Sequence, residues 1–245
     1  DGVTIGHVRL ALATEMSNHP EVFLETESGL TFTDTLIGFA NRSLAMAGVV
    51  ADLVKNGLLP PLRGELYPVA VTFWEEPFFQ LDRCAIAAFG IRSFGVHVNG
   101  FSRRPDGEFD MWIARRAEDR IAYPGMLDNM VAGGQPIGLG LIENVIKECA
   151  EEASIPATIA AQARPTGAVS YIHEAADGLK PDIMFCYDLA LPEDFVPLNS
   201  DGEVAAFYRL PLREVAEIIE SSFKFKFNCN LVIIDFLIRH GFLPP

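Results

Sequence analysis

The sequence predicts a mixed α/β or α+β sandwich with a smaller unit ahead of it. Three observations carry this. Short strand-like runs recur after residue 80, one strongly amphipathic helix at 141–153 divides them, and two helices close the chain. At 245 residues the chain has room for one large domain, or for a domain and a companion.

The segment 42–56, RSLAMAGVVADLVKN, is the first strong helix, with Asn41 as its N-cap and Gly57 just past its end. Its Leu44, Val49 and Leu53 are expected in the core. Pro60 and Pro61 keep the helix from continuing. A strand is expected over 67–74, closed by Glu75, Glu76 and Pro77. A boundary is placed near residue 80, giving a small α+β domain over 1–80 and the larger domain over 81–245. Strands are then expected at 84–91, 94–101 and 109–116. The loop 103–108 carries Asp106-Gly107, a turn signal that makes the last two a hairpin. Residues 127–134 lead into a Gly-rich bend. After the central helix come strands at 167–173, 182–190 and 203–209, then helices near 212–222 and 230–240.

Composition excludes several classes. Nineteen Lys and Arg against 33 Asp and Glu leave a net charge of −14. A field of that sign repels nucleic-acid backbones and anionic membrane surfaces, so neither is an expected partner. A small anionic ligand needs local cations or a bound metal. No run of eighteen apolar residues exists to span a membrane. Cys84, Cys149, Cys186 and Cys229 lie far apart without a CxxC pair, which fits a reduced, cytoplasmic chain better than a disulfide framework or a zinc site. No signal peptide is visible, and Asp at position 1 leaves the original N-terminus open. A homodimer is admitted.

The informative segment is 133–155, GGQPIGLGLIENVIKECAEEASI. At about 100° per residue, Ile142, Val145, Ile146, Cys149, Ala150 and Ala153 fall on one arc and Glu143, Asn144, Lys147, Glu148, Glu151 and Glu152 on the other. Glu148, Glu151 and Glu152 are spaced i, i+3, i+4. Three like charges at these spacings repel by roughly 0.2–0.5 kcal/mol per pair. They also occupy the half of the helix where the dipole disfavours anions. A solvated helix face is the plain alternative, but a divalent cation would reverse both costs, and hard oxygen donors suit Mg²⁺ or Mn²⁺. Glu143 stands four residues before Lys147, the spacing of an ordinary surface pair.

This segment resembles the Nudix box, GX5EX7REUXEEXGU with U aliphatic. Gly133 matches the opening Gly, Lys147-Glu148 stands at Arg-Glu, Cys149 at the aliphatic position, Glu151-Glu152 at the paired glutamates and Ile155 at the last aliphatic. Leu139 replaces the usual Glu, and Ser154 the late Gly. The flanking runs 89–91, 95–101, 112–116, 123–129 and 201–207 are similar to the Nudix subfamily related to the N-terminal part of fungal thiamine pyrophosphokinase fusions. That resemblance implies an α/β/α Nudix sandwich with a mixed sheet behind a smaller N-terminal domain. It also implies cleavage of a small-molecule diphosphate, with oxidised thiamine diphosphate analogues converted to monophosphates in some members. Glu148, Glu151 and Glu152 are the expected metal ligands, and a box glutamate or Glu203 the general base.

Other residues carry open alternatives. Glu203, in AspGlyGluVal, is either a carboxylate serving the site or a turn residue. Arg115 and Arg116 are neighbours on a strand and face opposite ways, with Arg116 favoured to reach a diphosphate. His97 and Asn99 share a strand face, as pocket lining or as satisfied core groups. Asp128 and Asn129 read as turn groups, and Lys224 and Lys226 as surface lysines of an edge strand. Trp74, Phe78 and Phe79 are either core or a stacking surface for a heteroaromatic ring. Residues 134–140 are Gly-rich without forming GxGxxG. The two readings are a Mg²⁺-dependent diphosphate hydrolase and a non-catalytic module that senses a phosphorylated metabolite, which Leu139 keeps open.

Overall fold

A computed structural model describes residues 2–244. The chain divides into two compact units. One runs to Phe94 and takes in Gln135–Gly138 and Ser170–Ile183. The other comprises Gly95–Gly134, Leu139–Val169 and the chain from Met184 onward.

The first unit contains α1 (Leu10–Met16), the antiparallel pair β1 (Phe23–Thr26) and β2 (Gly29–Phe32), α2 (Gly38–Lys55), and a second antiparallel pair, β3 (Leu66–Val69) and β4 (Phe79–Asp82). Helix α2 starts four residues before the expected point. Asn41 lies inside it and donates to the Ile37 carbonyl at 3.1 Å. The buried stripe is Met46, Val49, Val50 and Leu53, and Leu44 is 76% exposed, contrary to expectation. The strand expected over 67–74 stops at Val69. The Phe78 N–H returns to the Val69 carbonyl at 2.8 Å, so half of that apolar run is spent on reversing the chain. The run 84–91 is not a strand either. Asp82 accepts the Cys84 N–H at 2.9 Å and opens a 3₁₀ turn at Arg83–Ala85, and further turns bury Ile86, Phe89 and Ile91. A short apolar run can be buried by either geometry, and its local pattern does not distinguish them.

Most of a seven-stranded mixed sheet lies in the second unit, of order β11-β6-β5-β10-β9, with β7 on β6 and β8 on β5; the stretch Ser170–Ile183 of β9 and β10 is counted with the first unit. The strands are β5 (Phe94–Arg103), β6 (Phe109–Arg116), β7 (Leu127–Asn129), β8 (Val131–Gly134), β9 (Arg164–Ala175), β10 (Gly178–Ala190) and β11 (Val204–Pro211). The β5–β6 hairpin forms as expected, with Phe101 opposite Met111 and Gly107 at φ +91° in the turn. The helices are α3 (Leu141–Ala153), the short α4 (Ala157–Ala160), α5 (Leu212–Ser221) and α6 (Phe227–Arg239). Alternation along β6 separates two cores. Trp112 packs with Val145, Cys149 and Ala153 of α3, while Met111 and Ile113 pack with Leu212 and Val215 of α5 and with Cys229, Ile233 and Phe236 of α6. Helices thus cover both faces, an α/β/α sandwich.

Helix α3 ends in Ser154 at φ 52°, ψ 34°, the left-handed cap conformation that Gly adopts without cost. Ser154→Gly relieves a Cβ penalty and loses some of that gain to unfolded-chain entropy. A net stabilisation of about 0.5–1 kcal/mol is expected in urea unfolding, with the slope unchanged.

Candidate active site

The buried stripe of α3 is Asn144, Val145, Glu148, Cys149, Glu152 and Ala153. The helix is therefore rotated from the arc that apolarity alone selects: Ile142 and Ala150 are exposed, while two carboxylates and an amide face inward. What they face is the backbone of β8. Asn144 Nδ2 donates to the Gly134 carbonyl at 2.8 Å, and Glu152 Oε2 accepts the Ala132 N–H at 2.9 Å. The Glu148 carboxyl lies so close over Gly133 that a Cβ there would stand 2.1 Å from its Cδ. Glycine at 133 is what allows this approach. At the helix start Glu143 accepts the Gly140 N–H at 2.9 Å, so it caps the helix instead of pairing with Lys147.

Lys147 lies between two carboxylates, 3.0 Å from Glu148 and 2.8 Å from Glu151. Burial opposes its charge, but these neighbours outweigh burial and hold the ammonium protonated beyond its usual range. Glu148 and Glu152 sit together on the buried stripe, each 8% exposed, whereas Glu151 is turned to solvent. Burial pushes the Glu152 carboxyl well above its ordinary pKa, and the charges of Glu148, Asp128 and Glu203 add to this against the Ala132 N–H. Glu203 itself pairs with Arg120 at 2.7 Å.

A second layer lies on the α6 side. Arg116 Nη1 donates to Asp128 Oδ2 at 3.0 Å, and Lys226 Nζ stands 3.5 Å from the same oxygen. Cys229 Sγ and the Asn129 N–H donate to Asp128 Oδ1 at 2.6 and 2.9 Å. Burial would raise the Asp128 pKa, but Lys226 and the other partners hold it below the carboxylate range. Asp128 is therefore a hub and not a turn group, and Lys226 is not a surface lysine. His97 and Asn99 do share a face, and each is almost fully buried. His97 Nδ1 and Asn129 Oδ1 are 2.9 Å apart, Asn129 Nδ2 donates to Asn99 Oδ1 at 2.9 Å, and Asn99 Nδ2 donates to Asp188 Oδ1 at 3.2 Å. Burial, and then the Lys226 charge, lower the His97 pKa to about 4, so the ring is neutral near pH 7. The sequence marks members of this layer singly, the His97 and Asn99 pair inside an apolar strand and Arg116 among them, but carries no sign that they meet. The partners of the pair come from 30 to 130 residues away.

The buried chain ends on Asp188, which accepts from Arg239 at 2.6 and 3.0 Å and lies 3.1 Å from His240 Nε2. Burial raises the Asp188 pKa, but Arg239 and His240 outweigh it, and the net effect is a lowering. A depressed carboxylate contributes stability that is present above its unfolded pKa and lost as pH falls through the folded one. Asp188→Asn is expected to cost about 2–3 kcal/mol at neutral pH by leaving Arg239 short of a partner. The gap from wild type should close as pH drops below the ordinary 3.8, as followed by urea unfolding across pH.

The chain is 49% identical over 205 residues to "Nudix hydrolase 20, chloroplastic" and 40% identical over 243 residues to "Nudix hydrolase 24, chloroplastic", both of Arabidopsis thaliana. The chain belongs to the Nudix superfamily. These alignments take in 84% and 98% of the chain, and 54% and 66% of the relatives' own lengths. The crystal structure of DR0079 from Deinococcus radiodurans superposes with a TM-score of 0.52 at 23% identity, over 70% of this chain and 99% of that one. Residues 1–93 match a family model described only as a domain of unknown function, DUF4743. In this Nudix chain the box residues from Gly133 to Ile155 are thus the β8 backbone, the bend and helix α3. Among the described residues no helix is long and apolar enough to cross a membrane. All four thiols are buried and outside any disulfide.

Proposed function

We propose that this Nudix chain is a divalent-metal-dependent hydrolase of small-molecule diphosphates. One observation carries the reading: Glu148 and Glu152 are buried together on one face of α3, beside glycine backbone. The donor set fits Mg²⁺ or Mn²⁺, because hard carboxylate oxygens whose burial disfavours charge are stabilised by a divalent ion. Glu148 and Glu152 are the inner ligands, with Glu151 at the solvent edge. Held by these carboxylates, a divalent ion would supply charge neutralisation of the diphosphate and a lowered pKa for the attacking water. Glu152, Glu151 or Glu203 serves as general base, and Arg116 binds the diphosphate. His97 and Asn99 fix the strand that carries the site and support Asn129 beside Asp128.

The substrate favoured is an oxidised thiamine diphosphate analogue, cleaved to the monophosphate. The subfamily resemblance supports this, and a cationic thiazolium ring suits a protein of net charge −14 better than a polyanionic nucleotide does. The proposal includes a small N-terminal domain over 1–80 ahead of a Nudix domain over 81–245, a cytoplasmic setting and a homodimer. Leu139, where the box usually has Glu, favours a second reading, a module that binds a phosphorylated metabolite without cleaving it.

The test is chromatographic separation of the hydrolysis products, the monophosphate plus phosphate from oxythiamine diphosphate and thiamine diphosphate and AMP plus ribose 5-phosphate from ADP-ribose, after EDTA treatment, with Mg²⁺ or Mn²⁺ added back. Activity should vanish with chelation and return with the ion. Metal-dependent binding without turnover would establish the sensing module. A preference for ADP-ribose of about tenfold or more would reject the thiamine assignment and leave the hydrolase.

A further inference from the structure

Four basic side chains surround the carboxylates of the proposed site, and they differ in how fully their charge is matched. Lys147 faces two carboxylates, Glu148 and Glu151. Arg120 faces one, Glu203. Arg116 and Lys226 share a single carboxylate, Asp128, through the same oxygen. Two cations thus share the one carboxylate they contact, on a chain whose net charge is −14. The Arg116 contact is a hydrogen bond at 3.0 Å, whereas the Lys226 ammonium at 3.5 Å is an ion pair too long for a good hydrogen bond.

The backbone holds Lys226 in this position. The Lys226 N–H donates to the Leu127 carbonyl at 2.8 Å and the Leu127 N–H donates to the Lys224 carbonyl at 2.9 Å, so residues 224–226 run parallel beside β7, the strand that carries Asp128. Phe225 anchors the segment in the α5–α6 core. The Lys226 side chain also lies within electrostatic range of Glu152, the inner carboxylate of α3.

We propose that Lys226 is a substrate-binding residue, and that with Arg116 it receives the phosphate oxygens of the diphosphate beside the α3 carboxylates. Asp128 positions both cations, and the substrate's phosphate oxygens share them with it. Lys147 and Arg120, matched by carboxylates already, do not serve this role. The inference rests on the diphosphatase reading and adds to it a second cation that the box does not contain.

The experiment compares wild type, Lys226→Met, Lys226→Arg and, as a control for loss of one positive charge, the exposed Lys55→Met. The readouts are KM and kcat on the best substrate of the panel, competition by inorganic pyrophosphate with Mg²⁺, Mn²⁺ affinity by titration, and the melting temperature. Lys226→Met should raise KM and weaken pyrophosphate competition about tenfold or more, with kcat and Mn²⁺ affinity changed far less. Lys226→Arg should recover most of the loss, and Lys55→Met should match wild type. If Lys226→Met does not fold, Lys226→Gln takes its place. Unchanged KM and pyrophosphate competition in an active enzyme would overturn the assignment, as would equal losses in the Met and Arg variants that track a fall in melting temperature. A wild type that neither binds nor cleaves any diphosphate with Mg²⁺ would remove the diphosphatase reading, and this inference with it.

Discussion

Glu152→Gln is expected to lower metal-dependent turnover by about a hundredfold or more while raising the melting temperature of the metal-free protein. The two effects have one cause. Glu152 is buried, its charge is disfavoured by burial and by Glu148, Asp128 and Glu203, and its one favourable contact among these causes is the Ala132 N–H. A Gln carbonyl oxygen keeps that hydrogen bond and the side-chain shape, and it removes the buried anion. Without metal, a gain of about 1 kcal/mol, or several degrees in melting temperature, is expected. With saturating Mg²⁺ the order should reverse, because only wild type gains stability from the bound ion. Melting curves in EDTA and in Mg²⁺, alongside phosphate release, measure both sides. A Gln variant as active as wild type would remove Glu152 from the metal set. One that is less stable in EDTA would show that the carboxylate is compensated in the apo protein.

Gly133→Ala is expected to be the most damaging single-methyl change in the site. The added Cβ would stand 2.1 Å from Glu148 Cδ, 2.4 Å from Cγ and 2.4 Å from Oε1, and no rotamer of the methyl group avoids them. Either Glu148 leaves its position or β8 moves off α3. A displacement of about 1 Å in a reacting group costs on the order of a hundredfold in rate. Overpacking adds about 1–3 kcal/mol of destabilisation. The diagnostic is order of loss: metal affinity should fall with activity, while Gly138→Ala, whose Cβ meets nothing within 4 Å, should disturb stability through its positive φ without displacing Glu148. Wild-type Mn²⁺ affinity in Gly133→Ala would mean that Glu148 is not held for a metal.

Much of this molecule was legible in local sequence. Helix α3 has the bounds its periodicity predicts, Leu141–Ala153, and β6 runs from Phe109 to Arg116 as expected. Asp106-Gly107 marked its hairpin because the tight bend between Arg104 and Glu108 needs a residue that tolerates positive φ, and Gly107 supplies it. The Nudix resemblance came from the spacing of Gly133, Glu148, Glu151 and Glu152, which is a property of one segment and needs no long-range contact to be recognised. The limits appeared where local and tertiary preferences compete. The apolar run at 84–91 is buried in turns opened by the Asp82 cap, whereas the run at 67–74 is a buried strand only as far as Val69, where pairing with β4 ends, and then turns outward to leave Trp74 exposed. The rotation of α3 could not be read from apolarity, since the inward Asn144 and Glu152 are fastened by β8 backbone groups that carry no side-chain signal and Glu148 lies over Gly133. The Asp128 hub was equally hidden. It joins Arg116, Lys226 and Cys229, separated by up to about a hundred residues, and a charge network of that kind exists only once β6, β7 and α6 have packed together. The sequence by itself determined which helix would hold the acids. Tertiary packing decided which acids turn inward and which cations face them, because desolvation and pairing depend on what the folded chain brings within a few ångströms.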